Sequence, residues 1–144
     1  MAKVSIYLNY MGNAEEAFNH YKEVFNTDFR GQIFRMSDIP PTPGMPPLSE
    51  EDKKKIMNMS LPILGGTVLM ASDMLESLGH KLTIGNNTTI SLELDSKEEA
   101  DRIYKALSSG NNECVAPHDE FWGYWGVCLD RFGIRWMFNV MKPE

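Results

Sequence analysis

The sequence predicts an α+β fold in which two βαβββ repeats form a curved mixed sheet around a central cleft. Three observations predict it. The segment Glu15-Glu16-Ala17-Phe18-Asn19-His20-Tyr21-Lys22 returns 83 residues later as Glu98-Glu99-Ala100-Asp101-Arg102-Ile103-Tyr104-Lys105, with five of eight residues identical, the mark of a duplicated supersecondary unit. Each copy carries apolar residues at helical spacing and follows a short alternating or β-branched strand. Each is then followed by three segments of strand character separated by turn residues. A four-stranded unit cannot cover its own concave face, so two copies should pair with their helices outside.

In the first half the opening strand is expected over Ser5 to Met11. The helix behind it places Ala14, Ala17, Phe18, Tyr21, Val24 and Phe25 on one face, with Asn13 as N-cap and Glu16 reaching back to it. Strands follow at Phe29 to Met36, Ile56 to Leu64 and Thr67 to Ala71, the last two joined by a tight Gly65-Gly66 hairpin turn. Residues 37–48 are too rich in proline for a helix or a central strand and are expected to form an excursion loop. Such a loop serves a function, an interface or plain surface mobility. Ser49 and Asp52 form a capping-box pattern over a short charged helix that includes Glu50 and Lys54.

The second half repeats the scheme. A strand at Thr88 to Leu94 precedes a helix built on Ala100, Ile103, Tyr104 and Leu107, started by Ser96 and Glu99 and ended by Gly110. Three strands follow at Glu113 to Pro117, Tyr124 to Leu129 and Ile134 to Val140, with Phe132-Gly133 turning the last pair. The expectation is a single domain, residues 1–144, of two modules at about 1–75 and 85–144.

A chain of 144 residues with 42% hydrophobic and 24% charged residues can bury a core without disulfide or metal staples. The net charge is −6 and the lysines cluster only at Lys53, Lys54 and Lys55. No basic stripe is left for a phosphate backbone, so no nucleic-acid partner is expected. Met1-Ala2-Lys3-Val4 leads into an alternating segment without a signal-type apolar stretch, and no run approaches the roughly 20 apolar residues of a membrane span. A cytoplasmic protein with no membrane partner is expected. Cys114 and Cys128 are not a CxxC pair and are expected to be buried, reduced thiols.

Four segments carry a family resemblance: Tyr7-Leu8-Asn9-Tyr10-Met11-Gly12-Asn13-Ala14 before the first helix, Ala71-Ser72-Asp73 after the fourth strand, Phe121-Trp122-Gly123-Tyr124-Trp125-Gly126, and Asp130-Arg131-Phe132-Gly133-Ile134-Arg135-Trp136. Together they span nearly the whole chain, and it resembles the PhnB-like branch of the vicinal oxygen chelate superfamily. That superfamily includes glyoxalase I, fosfomycin and bleomycin resistance proteins and extradiol dioxygenases. PhnB-like proteins are often labelled demethylubiquinone-methyltransferase-like. Here no glycine-rich turn between a parallel strand and a helix is present to cradle an adenosyl cofactor, since Gly65-Gly66 joins two strands.

In the metal-dependent relatives, the resemblance implies one inward His, Glu or Gln from each of the first, fourth, fifth and eighth strands. Matching strand by strand puts Ile6, Met70, Thr89 and Met137 there, the offset of 83 also relating Ile6 to Thr89. None is a good divalent-metal ligand, and a shift of one residue does not rescue a site. No metal, no cofactor and no metal-assisted chemistry are expected.

His118 with Asp119, just before Trp122-Gly123, is the candidate acid–base pair for the cleft. His20 and His80 are expected to be solvated or locally hydrogen-bonded. If their strands face the cleft as the resemblance implies, Trp122, Trp125 and Trp136 with Met70 and Met137 line an apolar pocket; ordinary core packing is the alternative. Thr89, Ser91 and Glu93 should share the cleft face while Ile90, Leu92 and Leu94 pack on the second helix. Tyr10 joins the ligand-binding set, as does Asp73, which either orients a ligand or caps a turn. The function expected is metal-free binding of an unidentified small molecule in this cleft. The alternatives are a metal-independent lyase or isomerase-type enzyme and a mainly structural dimer-forming protein. A two-fold homodimer is expected.

Overall fold

The computed structural model describes residues 1–108 and 113–143. Gly110, expected to end the second helix, lies outside the described residues. The chain divides into two compact units, Met1–Leu82 and Thr83–Glu144.

The first unit runs β1 (Ile6–Tyr10), α1 (Ala14–Val24), β2 (Phe34–Arg35), α2 (Glu50–Lys53), β3 (Ile56–Pro62) and β4 (Val68–Asp73). Its sheet order is β1-β4-β3-β2, with β1 parallel to β4 and the other pairs antiparallel. The second unit runs β5 (Ile90–Glu93), α3 (Lys97–Leu107), β6 (Cys114–Glu120), β7 (Gly123–Leu129) and β8 (Arg135–Met141). Its order is β5-β8-β7-β6, again with one parallel pair, β5 with β8. The repeated βαβββ topology is therefore present, and Gly65-Gly66 makes the β3–β4 turn with φ of 65° and 79°, values that glycine adopts without cost.

Each sheet has a helix side and an open side because side chains alternate along a strand. Met59, Leu61, Leu69 and Ala71 of the first sheet are buried, as are Ala14, Ala17, Phe18, Tyr21 and Val24 of α1. Tyr10 meets Phe18 edge to face at 6.1 Å. In the second unit Leu92, Cys128, Trp136 and Phe138 are buried along with Ala100, Ile103 and Leu107 of α3, and Tyr104 meets Phe138 edge to face at 5.6 Å.

The two helices begin differently. Ser96 caps α3 locally, its hydroxyl accepting from Glu99 N at 3.1 Å while the Glu99 carboxylate accepts from Asp95 N at 3.2 Å. Asn13, the expected N-cap of α1, makes no such bond. Instead Asp73, 5% exposed at the end of β4, accepts from Gly12 N and Ala14 N through Oδ1, both at 3.0 Å, and from Ile56 N through Oδ2 at 2.8 Å. One carboxylate thus satisfies the helix start and the first amide of β3. Asp130 does comparable work in the β7–β8 turn, with Oδ1 accepting from Phe132 N and Ile134 N and Oδ2 from the Trp136 indole, all at 2.9 Å.

Two expectations need correction. The strand expected over Phe29 to Met36 shrinks to Phe34–Arg35, because Gly31 takes φ of 73° and the register against β3 shifts between Phe34 and Arg35. The offset of 83 holds for the helices, as in Ala17 and Ala100, but not for the strands before them. The last helix-facing strand residues are Tyr10 and Leu94, 84 apart, because three residues (Met11, Gly12, Asn13) join β1 to α1 while two (Asp95, Ser96) follow Leu94. Ile6 therefore lies on the helix side, whereas Thr89 falls in phase with the open side, so the two are not equivalent.

Candidate functional site

The open side of the second sheet presents two rows of side chains across its four strands. Glu93, Asn139, Trp125 and His118 stand in one line, and Ser91, Met137, Val127 and Val115 in the next. The first row is polar and aromatic, the second mostly apolar. Asn139 Nδ2 donates to Ser91 Oγ at 2.8 Å and links the rows. From His118 an aromatic chain runs outward: Trp125 at 5.8 Å, Trp122 a further 6.2 Å from Trp125, and Phe121 4.8 Å from Trp122.

His118 reaches this side through a bulge. Val115 faces Val127 and His118 faces Trp125, so Ala116 and Pro117 together oppose Gly126. A Cβ on Gly126 would lie 2.7 Å from Pro117 N and 2.8 Å from Val115 O, contacts only glycine avoids. Pro117 suits a bulge because it has no N–H to pair. Without the extra residue the alternation would send His118 to the helix side. With it, His118 and Glu120 both emerge on the open side, and Asp119 is turned away to an ion pair with Lys97 at 2.8 Å.

The expected His118–Asp119 pair is therefore a His118–Glu120 pair. His118 Nδ1 faces the Ala116 carbonyl at 2.9 Å and Nε2 faces Glu120 Oε1 at 2.8 Å. Both partners can only accept, so the ring that serves both is the imidazolium. The Ala116 carbonyl first, and then the Glu120 carboxylate, raise this imidazole above its ordinary 6.5. The Lys97 ammonium holds the Asp119 carboxyl below its ordinary range. When protonated, His118 is a tethered cation held by both partners. Its two nitrogens are already occupied, which leaves no lone pair for general-base work.

The remaining predicted residues separate into two groups. Ser91, Trp125 and Met137 share the open side described above, and Thr89 is exposed just before β5. Met70 lies on the open side of the first sheet between Tyr7 and Ser60, near Asn9 and Ser72. Trp122 is 37% exposed at the β6–β7 turn. Tyr10, however, is 1% exposed on the helix side with its hydroxyl 3.5 Å from that of Tyr21, and Asp73 is committed to three backbone amides. Trp136 is fully buried against Asp130. These three belong to the core. His80 is locally bonded, its Nδ1 accepting from Leu75 N at 2.9 Å. Sequence reasoning missed Asn139, Glu120 and Gly126. The Val115-Ala116-Pro117 stretch opposite a glycine was the signal for the bulge.

On their open sides β1 and β4 of the first unit present Tyr7 and Met70, and β5 and β8 of the second unit present Ser91 and Met137. Thioethers are soft donors and a neutral hydroxyl binds a divalent ion only weakly without carboxylate or imidazole companions. Among the described residues no three His, Cys, Asp or Glu side chains gather to hold a metal ion. A separate groove of about 440 Å³ follows the proline-rich segment of the first unit, lined by Met36, Ile39, Pro41, Met45 and Leu48 with Lys53 at its edge. Lys53 is ion-paired with Glu50 at 2.9 Å, so this groove is apolar in character. No described helix is long and apolar enough to cross a membrane.

The model of one protein family, described as 3-demethylubiquinone-9 3-methyltransferase, matches residues 2–139. Protein PA1353 from Pseudomonas aeruginosa is 30% identical with a TM-score of 0.82, covering 99% of this chain and 100% of that one. A PhnB protein from Bacillus cereus, named as a 3-demethylubiquinone-9 3-methyltransferase, gives a TM-score of 0.76 at 19% identity over 96% of this chain and 99% of its own. The fold also matches a glyoxylase/bleomycin resistance protein/dioxygenase domain from Frankia sp. EAN1pec, with a TM-score of 0.64 at 12% identity over 99% and 97% of the two chains. With an end-to-end family match, the chain belongs to the family described as 3-demethylubiquinone-9 3-methyltransferase, and its duplicated βαβββ sheets have the fold of the glyoxylase/bleomycin resistance protein/dioxygenase domain.

Proposed function

We propose that this protein binds a small, partly apolar molecule on the open side of its second sheet, without a divalent metal. The observation that carries the reading is the polar row Glu93–Asn139–Trp125–His118 beside the apolar row Met137–Val127–Val115. A ligand lying across the rows would rest its apolar part on Met137 and Val127, stack on Trp125, and offer hydrogen-bonding groups to Asn139 and Ser91. Thr89, Trp122 and, in the first unit, Met70 remain candidate ligand-binding residues. A thermal-shift screen of small metabolites tests this, since a ligand selective for the folded chain raises its Tm by mass action. The shift should disappear in Trp125→Ala and shrink in Met137→Ala. A shift that survives both changes but is lost in Met45→Ala would move the site to the proline-rich groove and overturn the proposal.

Metal independence rests on the donor set. Calorimetry with Zn²⁺, Ni²⁺, Mn²⁺ or Fe²⁺ should give no tight stoichiometric binding; a single-site response lost in Ser91→Ala or Met137→Ala would refute it. The methyl transfer in the family's description would need an adenosyl cofactor, and the residues here do not fit one. The helix starts behind the two parallel strands are where a nucleotide would sit. The α1 start is filled by the Asp73 carboxylate and the α3 start by Ser96.

The raised proton affinity of His118 favours a second reading, a metal-independent lyase or isomerase in which Nε2–H turns from Glu120 to the ligand and His118 donates the proton. His118→Gln should then abolish turnover while leaving ligand binding within a few-fold of the parent. A two-fold homodimer is part of the proposal, supported by Phe121 at 84% and Met141 at 65% exposure near one end of the second sheet. Sedimentation showing only monomer at micromolar concentration would remove it.

A further inference from the structure

Cys114 and Cys128 lie outside the open side and take no part in the function proposed above. They are 14 positions apart in sequence but directly opposite one another on β6 and β7, both as free thiols. The Leu129 amide donates to the Glu113 carbonyl at 3.1 Å, which makes residues 113 and 129 the hydrogen-bonded pair and places Cys114 and Cys128 in the adjacent non-hydrogen-bonded position. Opposed Cα atoms in such a position approach to about 4.5 Å. That lies at the short end of the roughly 4.4–6.8 Å that a disulfide spans. The two thiols differ in access. Cys128 is 1% exposed and Cys114 is half-buried at the strand end.

We infer that Cys114 and Cys128 are a reversible oxidation site, closing to a cross-strand disulfide when the protein meets hydrogen peroxide. The Cys114 sulfur, as the more accessible thiol, attacks one peroxide oxygen and becomes the sulfenic acid, releasing one water. The Cys128 sulfur then attacks the Cys114 sulfur, the S–O bond breaks, and the hydroxyl leaves as a second water with the Cys128 proton. Two thiols lose two hydrogens and one peroxide is reduced to two waters. Burial, with Cys114 as the next contribution, pushes the Cys128 thiol up to about 12, so it resolves rather than initiates. The Cys114 end of such a bridge is open to solvent, and disulfides that reductant can reach are the readily reduced kind. Free thiols in a reducing compartment and closure under oxidant are therefore compatible.

The test treats the full-length folded protein with micromolar hydrogen peroxide and reads intact mass and thiol alkylation without reductant. The expected result is loss of two hydrogens per chain, a Cys114–Cys128 linked peptide, and full reversal by dithiothreitol. Cys128→Ser should halt at a Cys114 sulfenic acid that dimedone captures, whereas Cys114→Ser should leave Cys128 unmodified. Closure should be at least tenfold faster in the folded chain than in urea. The inference is overturned if both thiols stay alkylatable, if the product is a link between chains, or if folded and unfolded chains close at the same rate.

Discussion

The two sheets share strand order, one parallel pair and a buried helix side, yet their open sides and helix starts are built from different chemistry. Along β1, β4 and β3 the first open side carries Tyr7, Asn9, Ser60, Met70 and Ser72, all neutral. The second carries Glu93, His118 and Glu120 beside Trp125 and Asn139, and its β6 strand bulges to put the histidine there. The topology fixes which side is core, and the open side is free to differ. The helix starts differ in the same spirit: α1 depends on a carboxylate from the far end of its unit, and α3 on the serine beside it.

Asp73→Ala should break this comparison most sharply. It leaves three amides, two of them at a buried helix start, without an acceptor, and should cost about 3–5 kcal/mol in urea denaturation. The corresponding change at the other helix, Ser96→Ala, removes one local cap bond and should cost about 1 kcal/mol. Equal effects would mean that the two helix starts are energetically alike. Between these lies Gly126→Ala, which pushes a methyl into the bulge backbone and should cost about 2 kcal/mol. Besides that loss, it should shift the His118 ring resonances in NMR, because the bulge sets which side the histidine occupies. Unchanged resonances would show that His118 is held by its partners alone.

The smallest effect concerns charge. The folded chain holds His118 above its ordinary 6.5, so the stabilisation from the imidazolium is complete below that pH and fades as pH rises through the higher folded value. Titrating the ring protons should show the raised midpoint. Glu120→Gln should bring it back toward 6.5 without restoring it fully, because the bond to the Ala116 carbonyl remains. No movement in Glu120→Gln would assign the whole shift to the backbone.

The repeated Glu-Glu-Ala helices, the Gly65-Gly66 turn and the alternation of β5 were legible from residue types, because local spacing and turn chemistry determine them. The open-side register was not. It depends on one residue more between β1 and α1 than between Leu94 and α3, a difference that helix matching hides. At β6 the strand runs on past Pro117 to Glu120, and the bulge at Ala116 and Pro117 brings His118 to the open side with Glu120 while Asp119 turns away, which separates the expected pair. Tyr10 and Trp136 read as site residues because aromatic side chains suit a pocket and a core equally well. Only pairing partners, Asp73 on Tyr10 and Cys128 on Trp136, separate the two.

The Asp73 cap bears on how the chain acquires its structure during synthesis. Ala14 waits for an acceptor 59 residues downstream, so α1 leaves the ribosome with its first turn unsatisfied until β4 has been made and has docked. The second helix carries its cap within the same turn of sequence and can nucleate as soon as it emerges. The amino-terminal unit, although translated first, is the one whose helix must close a long loop before it gains its full stability, and that ordering makes it the slower of the two to commit.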